Sequence, residues 1–430
     1  MPGESDTNHA IRQAAPDFIR PLGIGERFFH LYAQVYPVHF CLCAEIAGAV
    51  DADALRAALN RVRARHPILR ASILDDGAFG PAFHTSDRPI DLETIAVGPD
   101  ADWRPTVERE LEKPMGPGAT ALLRVTALCM PETTAIVLMF HHAIADALSA
   151  VWVLQDLMRA LAGEPLEAFR GFPPVEENIL GSSPGPARSG HEHRIMPASP
   201  ELRAAVAGVP ASLRTNIVTA EFSPNETARL IERCRANGTT VHSLLCAAAA
   251  RHVPASDQDI VHIVCPIDLR KIAGIESGAC GVFIGAGAAE VPIDPAASIW
   301  HDARRIGDGM AKSRSPEAVI GFMRRMSAEF PPAARSETVR AFLAAGPPSP
   351  LVVSNLGVLP IAERYGPHVV TAVWGPAMLT NLPEDRQTIG VCTFGGRLRI
   401  VHQSYVPIRG LVPGIRNTLL AACGRDGGRI

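Results

Sequence analysis

The sequence lacks a long apolar run, a Cys-x-x-Cys pair and an excess of basic charge. A membrane-spanning helix needs about 18 to 20 apolar residues, so we expect no membrane span. The 41 Lys and Arg residues against 44 Asp and Glu give a formal net charge of -3, which argues against nucleic acid as a partner. The N-terminal segment carries Glu4 and Asp6 and does not resemble a signal peptide. The predicted location is the cytoplasm.

Serine and cysteine patterns for nucleophilic catalysis are also missing. The one Gly-x-Ser-x-Gly match, Gly181-Ser182-Ser183-Pro184-Gly185, lies in a Pro- and Ser-rich segment and not between a strand and a helix pattern, so the sequence predicts no nucleophile elbow of the α/β-hydrolase kind. The cysteines are odd in number and scattered, mostly within apolar runs, which is typical of reduced, buried thiols rather than of a disulfide framework. They are Cys41, Cys43, Cys129, Cys234, Cys246, Cys265, Cys280, Cys392 and Cys423.

The length of the chain favours two domains. With 430 residues, of which 47% are apolar, it can bury more core than one domain usually holds. Between residues 171 and 200 the composition shifts to Pro, Gly, Ser and charge, which is typical of a linker. We therefore predict an N-terminal lobe over 1–170, a linker over 171–200 and a C-terminal lobe over 201–430. Strand and helix patterns alternate in both, so the fold class is α/β.

One short segment, from His141 to Asp146, carries the most chemistry. The apolar run 135–140 before it predicts a buried strand, and the apolar helical pattern 148–161 after it predicts a buried helix. The histidines therefore lie at a strand-to-helix junction, where a rigid backbone can hold a side chain against a substrate. Histidine suits a general base because its unperturbed pKa of about 6.5 lets it accept and return a proton near neutral pH.

Local signals predict several elements of the second half. Ser223-Pro224-Asn225-Glu226 is a capping box with proline at the first helical position. Helical patterns follow over 296–314 and 317–330. Gly395-Gly396, between the strand patterns 388–394 and 397–405, predicts a hairpin.

Four segments together resemble a known superfamily. His141-His142-x-x-x-Asp146 is similar to the HHxxxD signature of condensation domains and chloramphenicol-acetyltransferase-like enzymes. The other three segments occur in the same order as in that superfamily, and the match spans about residues 20 to 410. The segment nearest the C-terminus, Ser354-Asn355-Leu356-Gly357, resembles the form found in polyketide-associated acyltransferases of the phthiocerol dimycocerosyl transferase kind. The three are Arg65-His66-Pro67-Ile68-Leu69-Arg70, Pro266-Ile267-Asp268-Leu269-Arg270 and Ser354-Asn355-Leu356-Gly357.

The resemblance implies a fold and a set of roles. It implies two chloramphenicol-acetyltransferase-like lobes, each a mixed sheet flanked by helices, with an active-site channel at their interface. His142 would be the catalytic base, while His141, Asp146 and Arg270 would support the site. Asp146 would pair with an arginine, and we expect Arg270, with Arg70 as the second candidate. The alternative for His142 is a core histidine that caps a strand.

The same resemblance assigns Ser354 and Asn355 to substrate binding; a plain turn before Gly357 is an equally good interpretation of these residues. One position departs from the family, because Ala147 stands where glycine is usual. A left-handed backbone there would be unfavourable for alanine. We predict no metal site, since adjacent histidines point in divergent directions and no further ligand cluster accompanies His141, His142 and Asp146.

The implied activity is O-acyl transfer from a thioester to a hydroxyl, without a covalent acyl-enzyme, in polyketide, lipid or other secondary-metabolite assembly. No bound cofactor is expected. The donor would be a phosphopantetheine thioester, either on an acyl carrier protein supplied in trans or as coenzyme A, the acceptor a hydroxyl-bearing small molecule, and the protein a monomer. Two alternatives remain open: a free-standing condensation enzyme that forms an amide, and a catalytically silent carrier-binding protein.

Overall fold

The computed structural model describes residues 17–75, 80–115, 121–181, 215–254, 260–292, 294, 296–345, 350–379 and 386–424. The strands are β1 (Phe18–Pro21), β2 (Phe40–Ala47), β3 (Ala71–Asp75), β4 (Pro81–Thr85), β5 (Asp91–Ala96), β6 (Leu123–Cys129), β7 (Thr133–Phe140), β8 (Asn216–Glu221), β9 (Ile260–Asp268), β10 (Ile284–Pro292), β11 (Leu351–Val358), β12 (Arg364–Tyr365), β13 (His368–Met378), β14 (Gln387–Phe394) and β15 (Arg397–Ser404).

Helices lie between about half of the consecutive strands. They are α1 (Ile24–Ala33), α2 (Ala52–Arg65), α3 (Arg104–Glu112), α4 (Ala147–Leu161), α5 (Val175–Leu180), α6 (Pro224–Ala236), α7 (Val241–Ala250), α8 (Arg270–Ala273), α9 (Ile299–Ser313), α10 (Pro316–Glu329), α11 (Ser336–Ala345) and α12 (Leu411–Ala422). In the described part of the chain, no helix is both long and apolar enough to cross a membrane.

Two six-stranded sheets form the framework. Sheet I has the order β12-β13-β2-β7-β6-β5, and sheet II has the order β10-β9-β11-β14-β15-β8. Sheet I is antiparallel except for the parallel pair of β5 with β6, whereas in sheet II β11 runs parallel to both of its neighbours. The predicted α/β fold with two mixed sheets and flanking helices is therefore confirmed.

Strand β7 is apolar from Ala135 to Phe140 because both faces of sheet I are covered there. Ile136 and Leu138 belong to the core that contains the buried residues of α2 and α4. Val137 and Met139 point to the opposite face and join the core that includes Val107 of α3. Covering both faces removes the polar alternation of a half-exposed strand, and it fixes the end of β7 rigidly.

Sheet I takes two strands, β12 and β13, from the second half of the sequence. β13 pairs with β2 in an antiparallel register that includes Trp374 with Cys43. β13 also passes close to β14 of sheet II, where a Cβ atom at Gly390 would lie 1.8 Å from the carbonyl oxygen of Pro376. Only glycine allows this approach. The predicted lobe boundaries stay a prediction. Strands β12 and β13, which lie within 201–430, nevertheless belong to the same sheet as the strands of the first half.

Part of the predicted linker is helical. Of residues 171–200, only 171–181 are described, and they include α5. Glu176 accepts a hydrogen bond of 2.6 Å from the backbone N–H of Ile24 at the start of α1. Acidic residues in the first turn of α5 stabilise it through the helix dipole, and Gly181 follows its last turn. The rest of the linker lies outside the described residues.

The local signals of the second half are confirmed. Ser223 and Glu226 form the predicted capping box at the start of α6. The patterns over 296–314 and 317–330 correspond to α9 and α10. Strands β14 and β15 form the predicted hairpin around Gly395 and Gly396, with Phe394 opposite Arg397.

Candidate active site

The loop from His141 to Asp146 joins the end of β7 to the start of α4, and all six residues are buried. The N–H of His141 donates to the carbonyl of Leu122, at 2.8 Å. At the other end the N–H of Asp146 donates to the carbonyl of Gly281, at 3.0 Å. The loop is thus tied to the residue that precedes β6 on one side and to a distant segment of the chain on the other.

Asp146 is the centre of a buried hydrogen-bond network. Its Oδ1 accepts from Arg270 Nη2 at 2.7 Å and from the N–H of Ser149 at 2.8 Å, the second bond being the cap of α4. Its Oδ2 accepts from the N–H of Phe283 at 2.9 Å. The side chains of Asp146 and Arg270 are 1% and 9% exposed. The predicted pairing of Asp146 with Arg270 is confirmed, whereas Arg70 lies exposed on the surface.

Arg270 keeps its charge in this buried position. Burial alone would lower the pKa of Arg270, but the charges and hydrogen bonds of Asp146 and Asp268 outweigh burial and raise it. Arg270 Nη1 donates to Asp268 Oδ1 at 2.9 Å, so the guanidinium bridges two carboxylates. A fork of this kind fixes orientation as well as distance.

Ser149 and Gly281 complete the network, and the sequence analysis missed both. Ser149 Oγ donates to the carbonyl of Gly281 at 2.7 Å and accepts from the Gly281 N–H at 3.0 Å and from Arg270 Nη2 at 2.8 Å. Within a strongly apolar helix pattern Ser149 looks like a neutral position. No local signal connects it with a glycine 132 residues later.

His142 is neutral and almost covered. The residue is 6% exposed, and its ring stacks on Phe29 with centroids 3.7 Å apart and planes 1° from parallel. Phe40 contacts it at a tilt, 4.8 Å away. Burial lowers the pKa of His142 to about 4, against weaker opposition from the carbonyl groups of His142 and Ala145 and from Asp146. Its Nδ1 makes no hydrogen bond. One nitrogen of a neutral imidazole carries no proton, so the ring can act as a base.

His141 has a different environment. Its Nδ1 accepts from the N–H of Ala143 at 3.1 Å, so the neutral ring carries its proton on Nε2. Burial, together with the nearby His30, His39 and His142, lowers the pKa of His141 well below its usual value. The ring thereby shapes the turn that presents His142. Its supporting role stays a prediction.

Phe29 is a third residue that the sequence analysis missed. It lies on α1, far from the motif in sequence, and is half-buried. Because its ring lies flat against His142, a substrate that reaches the imidazole from this side has to displace Phe29. The sequence pattern of α1 does not predict this contact, since Phe28 and Phe29 look equally suited to a core.

Ser354 and Asn355 lie on β11, half-buried. Asn355 Oδ1 accepts from the N–H of Gly357 at 2.8 Å, and Gly357 has a φ of +68°. This is the local turn that the sequence analysis kept as an alternative. Among the described residues, no hydrogen bond joins either side chain to His142 or Asp146, and their role in substrate binding stays a prediction.

The departure at Ala147 does not disturb the loop. Ala147 is the first residue of α4, directly after the Asp146 cap, and has helical geometry. Alanine is well suited to that conformation. The position therefore does not need the left-handed backbone that would have favoured glycine.

Two family models match the chain. Residues 211–403 match the C-terminus of phthiocerol/phthiodiolone dimycocerosyl transferase, and residues 29–172 match the condensation domain. Malformin synthetase mlfA of Aspergillus niger is 31% identical over 129 residues, which are 29% of this chain and 2% of that protein. An uncharacterized protein of Mycobacterium tuberculosis is 26% identical over 270 residues, which are 54% of this chain and 57% of the relative. The chain thus spans only part of these curated relatives.

Solved structures share the fold over nearly the whole chain. Polyketide synthase associated protein 5 from Mycobacterium tuberculosis superposes with a TM-score of 0.61 at 17% identity, covering 96% of this chain and 100% of that one. The first condensation domain of the CDA synthetase gives 0.68 at 16% identity, covering 94% and 96%. The trichothecene 15-O-acetyltransferase TRI3 from Fusarium sporotrichioides gives 0.66 at 12% identity, covering 94% and 95%.

Proposed function

We propose that this chain, which belongs to the superfamily of condensation domains and chloramphenicol-acetyltransferase-like enzymes, transfers an acyl group from a phosphopantetheine thioester to a hydroxyl acceptor. The product is an ester, and His142 is the general base. The donor is carried by an acyl carrier protein or by coenzyme A. We place the reaction in the assembly of polyketides, lipids or related secondary metabolites.

The reaction needs one base and no nucleophile on the protein. The acceptor oxygen attacks the thioester carbonyl carbon while His142 takes the hydroxyl proton. The tetrahedral oxyanion then collapses, the C–S bond breaks, and the imidazolium returns its proton to the leaving thiolate. Ester and free thiol are formed, and the imidazole is neutral again. General base catalysis of this kind typically contributes about 10² to 10⁴ in rate.

The observation that carries the proposal is the state of His142. Its pKa of about 4 keeps the ring neutral at physiological pH, and its Nδ1 is unpaired. A core histidine that only caps a strand would use its nitrogens in hydrogen bonds, as His141 does with Ala143. Asp146 is not the orienting group of a catalytic dyad, because among the described residues its oxygens accept hydrogen bonds from Arg270, Ser149 and Phe283 and none from the His142 ring.

The preference for a hydroxyl acceptor has two sources of support. The second half matches the model of a dimycocerosyl transferase, and one structural neighbour is an O-acetyltransferase. The first half matches the condensation domain, which supports amide formation as the second candidate. The two functions share the base and differ in the acceptor.

A panel of acyl thioesters with hydroxyl and amine acceptors tests the proposal. Purified protein is incubated with coenzyme A thioesters and with acyl-loaded carrier proteins, and the products are identified by mass. Ester formation with hydroxyl acceptors is the expected result. Products with amines alone would overturn the ester assignment, and the absence of turnover in the whole panel would favour a carrier-binding protein.

In the pH profile of kcat/KM, the fall on the acidic side (the acidic limb) is expected at low pH. Since burial lowers the pKa of His142 to about 4 from 6.5, kcat/KM should fall near pH 4 rather than near pH 6.5. The unfolded chain takes up this proton near pH 6.5, so the contribution of His142 to stability is complete above 6.5 and is lost as the pH falls towards about 4. Rates are therefore measured in short assays at pH values where circular dichroism shows folded protein. A fall of kcat/KM near pH 6.5 would contradict the assignment of the buried His142 as the base.

Removing the ring that covers His142 should move this limb. In Phe29→Ala, water reaches the imidazole, burial penalises the charged form less, and the acidic limb is expected to shift upward from about 4 towards 6.5. The control is Phe342→Ala, which removes a ring that packs on Phe28 and Phe330 instead. An equal shift in both variants would attribute the effect to general loosening.

A further inference from the structure

A cluster of three soft ligands lies in the second half of the chain, apart from the His142 site. His242 and Cys246 are four residues apart on α7, which places them on one face of the helix. Cys265 lies on β9, beneath that face. His242 Nε2 is 3.7 Å from Cys246 Sγ, and Cys246 Sγ is 3.9 Å from Cys265 Sγ.

These separations fit a tetrahedral metal site. With Zn–S bonds of about 2.3 Å and Zn–N bonds of about 2.0 to 2.1 Å, tetrahedral ligands lie about 3.8 Å apart for two sulfurs and about 3.6 Å apart for sulfur and nitrogen. The observed distances of 3.9 Å and 3.7 Å differ from these by tenths of an ångström. All three ligand atoms lie within 4.8 Å of one another. Little movement would be needed to hold an ion.

We propose that His242, Cys246 and Cys265 bind one zinc ion, with water as the fourth ligand. Two thiols and an imidazole favour zinc over calcium or magnesium, which prefer oxygen ligands. Both cysteines are buried, whereas His242 is half-buried. The half-buried histidine therefore gives the ion its entry path. The bound ion would connect α7 to β9.

Cobalt binding tests this site independently of any activity. The full-length protein is purified under reducing conditions, stripped with a chelator and titrated with Co²⁺, and the thiolate-to-cobalt absorption band is followed. Wild-type protein should bind one Co²⁺ and release it to Zn²⁺. His242→Ala changes a half-buried side chain and should remain folded, with affinity reduced at least about tenfold, or about 1.4 kcal/mol.

Cys265→Ser should abolish the thiolate band or reduce it strongly. Cys234→Ser provides the matched control, because Cys234 is a buried cysteine of α6 in the same half of the chain, outside the cluster. It should bind Co²⁺ like wild type. The proposal is overturned if reduced wild-type protein gives no thiolate band, or if His242→Ala and Cys265→Ser bind the metal as tightly as Cys234→Ser.

Discussion

Replacing His142 with alanine is expected to reduce kcat/KM for ester formation by about 10² to 10⁴, the usual contribution of a positioned general base. The acceptor hydroxyl then loses the group that takes its proton, and no other unpaired imidazole replaces it in the described loop. The remaining rate comes from substrate binding alone. The loss should occur with every acceptor and every acyl chain, because in each reaction the base takes the proton of the acceptor.

Two further variants separate chemistry from packing. Truncating His142 leaves a gap against Phe29 and Phe40, so His142→Gln, which fills more of that space, is measured beside the alanine variant. The matched control is His252→Asn, at a histidine whose Nε2 contacts Thr418 Oγ1 on α12. It should keep its activity. Loss of less than about tenfold in both His142 variants would remove this residue from the role of base.

Replacing Asp146 with alanine is expected to lower the free energy of unfolding by about 3 to 5 kcal/mol. The substitution leaves the charge of Arg270 paired with Asp268 alone, and it removes the acceptors of the Ser149 and Phe283 N–H groups. A buried donor without a partner costs about 1 to 3 kcal/mol. Urea unfolding monitored by fluorescence gives the change, and activity should fall together with stability because the loop that carries His142 is no longer held.

An exposed ion pair provides the control for this effect. Asp102 pairs with Arg104 at 2.8 Å, but their side chains are 40% and 45% exposed, so Asp102→Ala should cost at most about 1 kcal/mol. Adding Arg270→Met to Asp146→Ala should recover part of the loss, since no buried charge then remains. Unchanged stability in Asp146→Ala would show that the buried pair does not hold the loop.

The sequence was informative wherever the chemistry is local. The apolar run before His141 and the helical pattern after Asp146 predicted a strand, a junction and a helix, because burial on both faces of sheet I leaves only apolar residues in β7 from Ala135 to Phe140. The capping box of α6 and the glycine turn of the hairpin depend on neighbouring residues only, and both were correct. The pairing of Asp146 with Arg270 came from the resemblance and is present at 2.7 Å.

The missed features are contacts between distant segments. Phe29 covers His142 although more than a hundred residues separate them in the sequence. Gly281 bonds to Ser149 through its backbone, and a backbone contact cannot be predicted from the residue type. β13 pairs with β2 of sheet I and also passes close to Gly390 of sheet II, two contacts between segments far apart in the sequence. The cluster of His242, Cys246 and Cys265 was missed because its third ligand comes from a neighbouring strand, so the spacing on α7 shows only two of them.

The central claim is that His142 activates the acceptor and that the acyl group never resides on the protein. It is tested most directly by mixing the protein with an acyl thioester that supports turnover, without acceptor, and measuring thiol release and the intact mass of the protein. The account predicts an unchanged protein mass and thiol release that begins only when the hydroxyl acceptor is added. A burst of thiol without acceptor, together with a gain of one acyl group in protein mass, would contradict it.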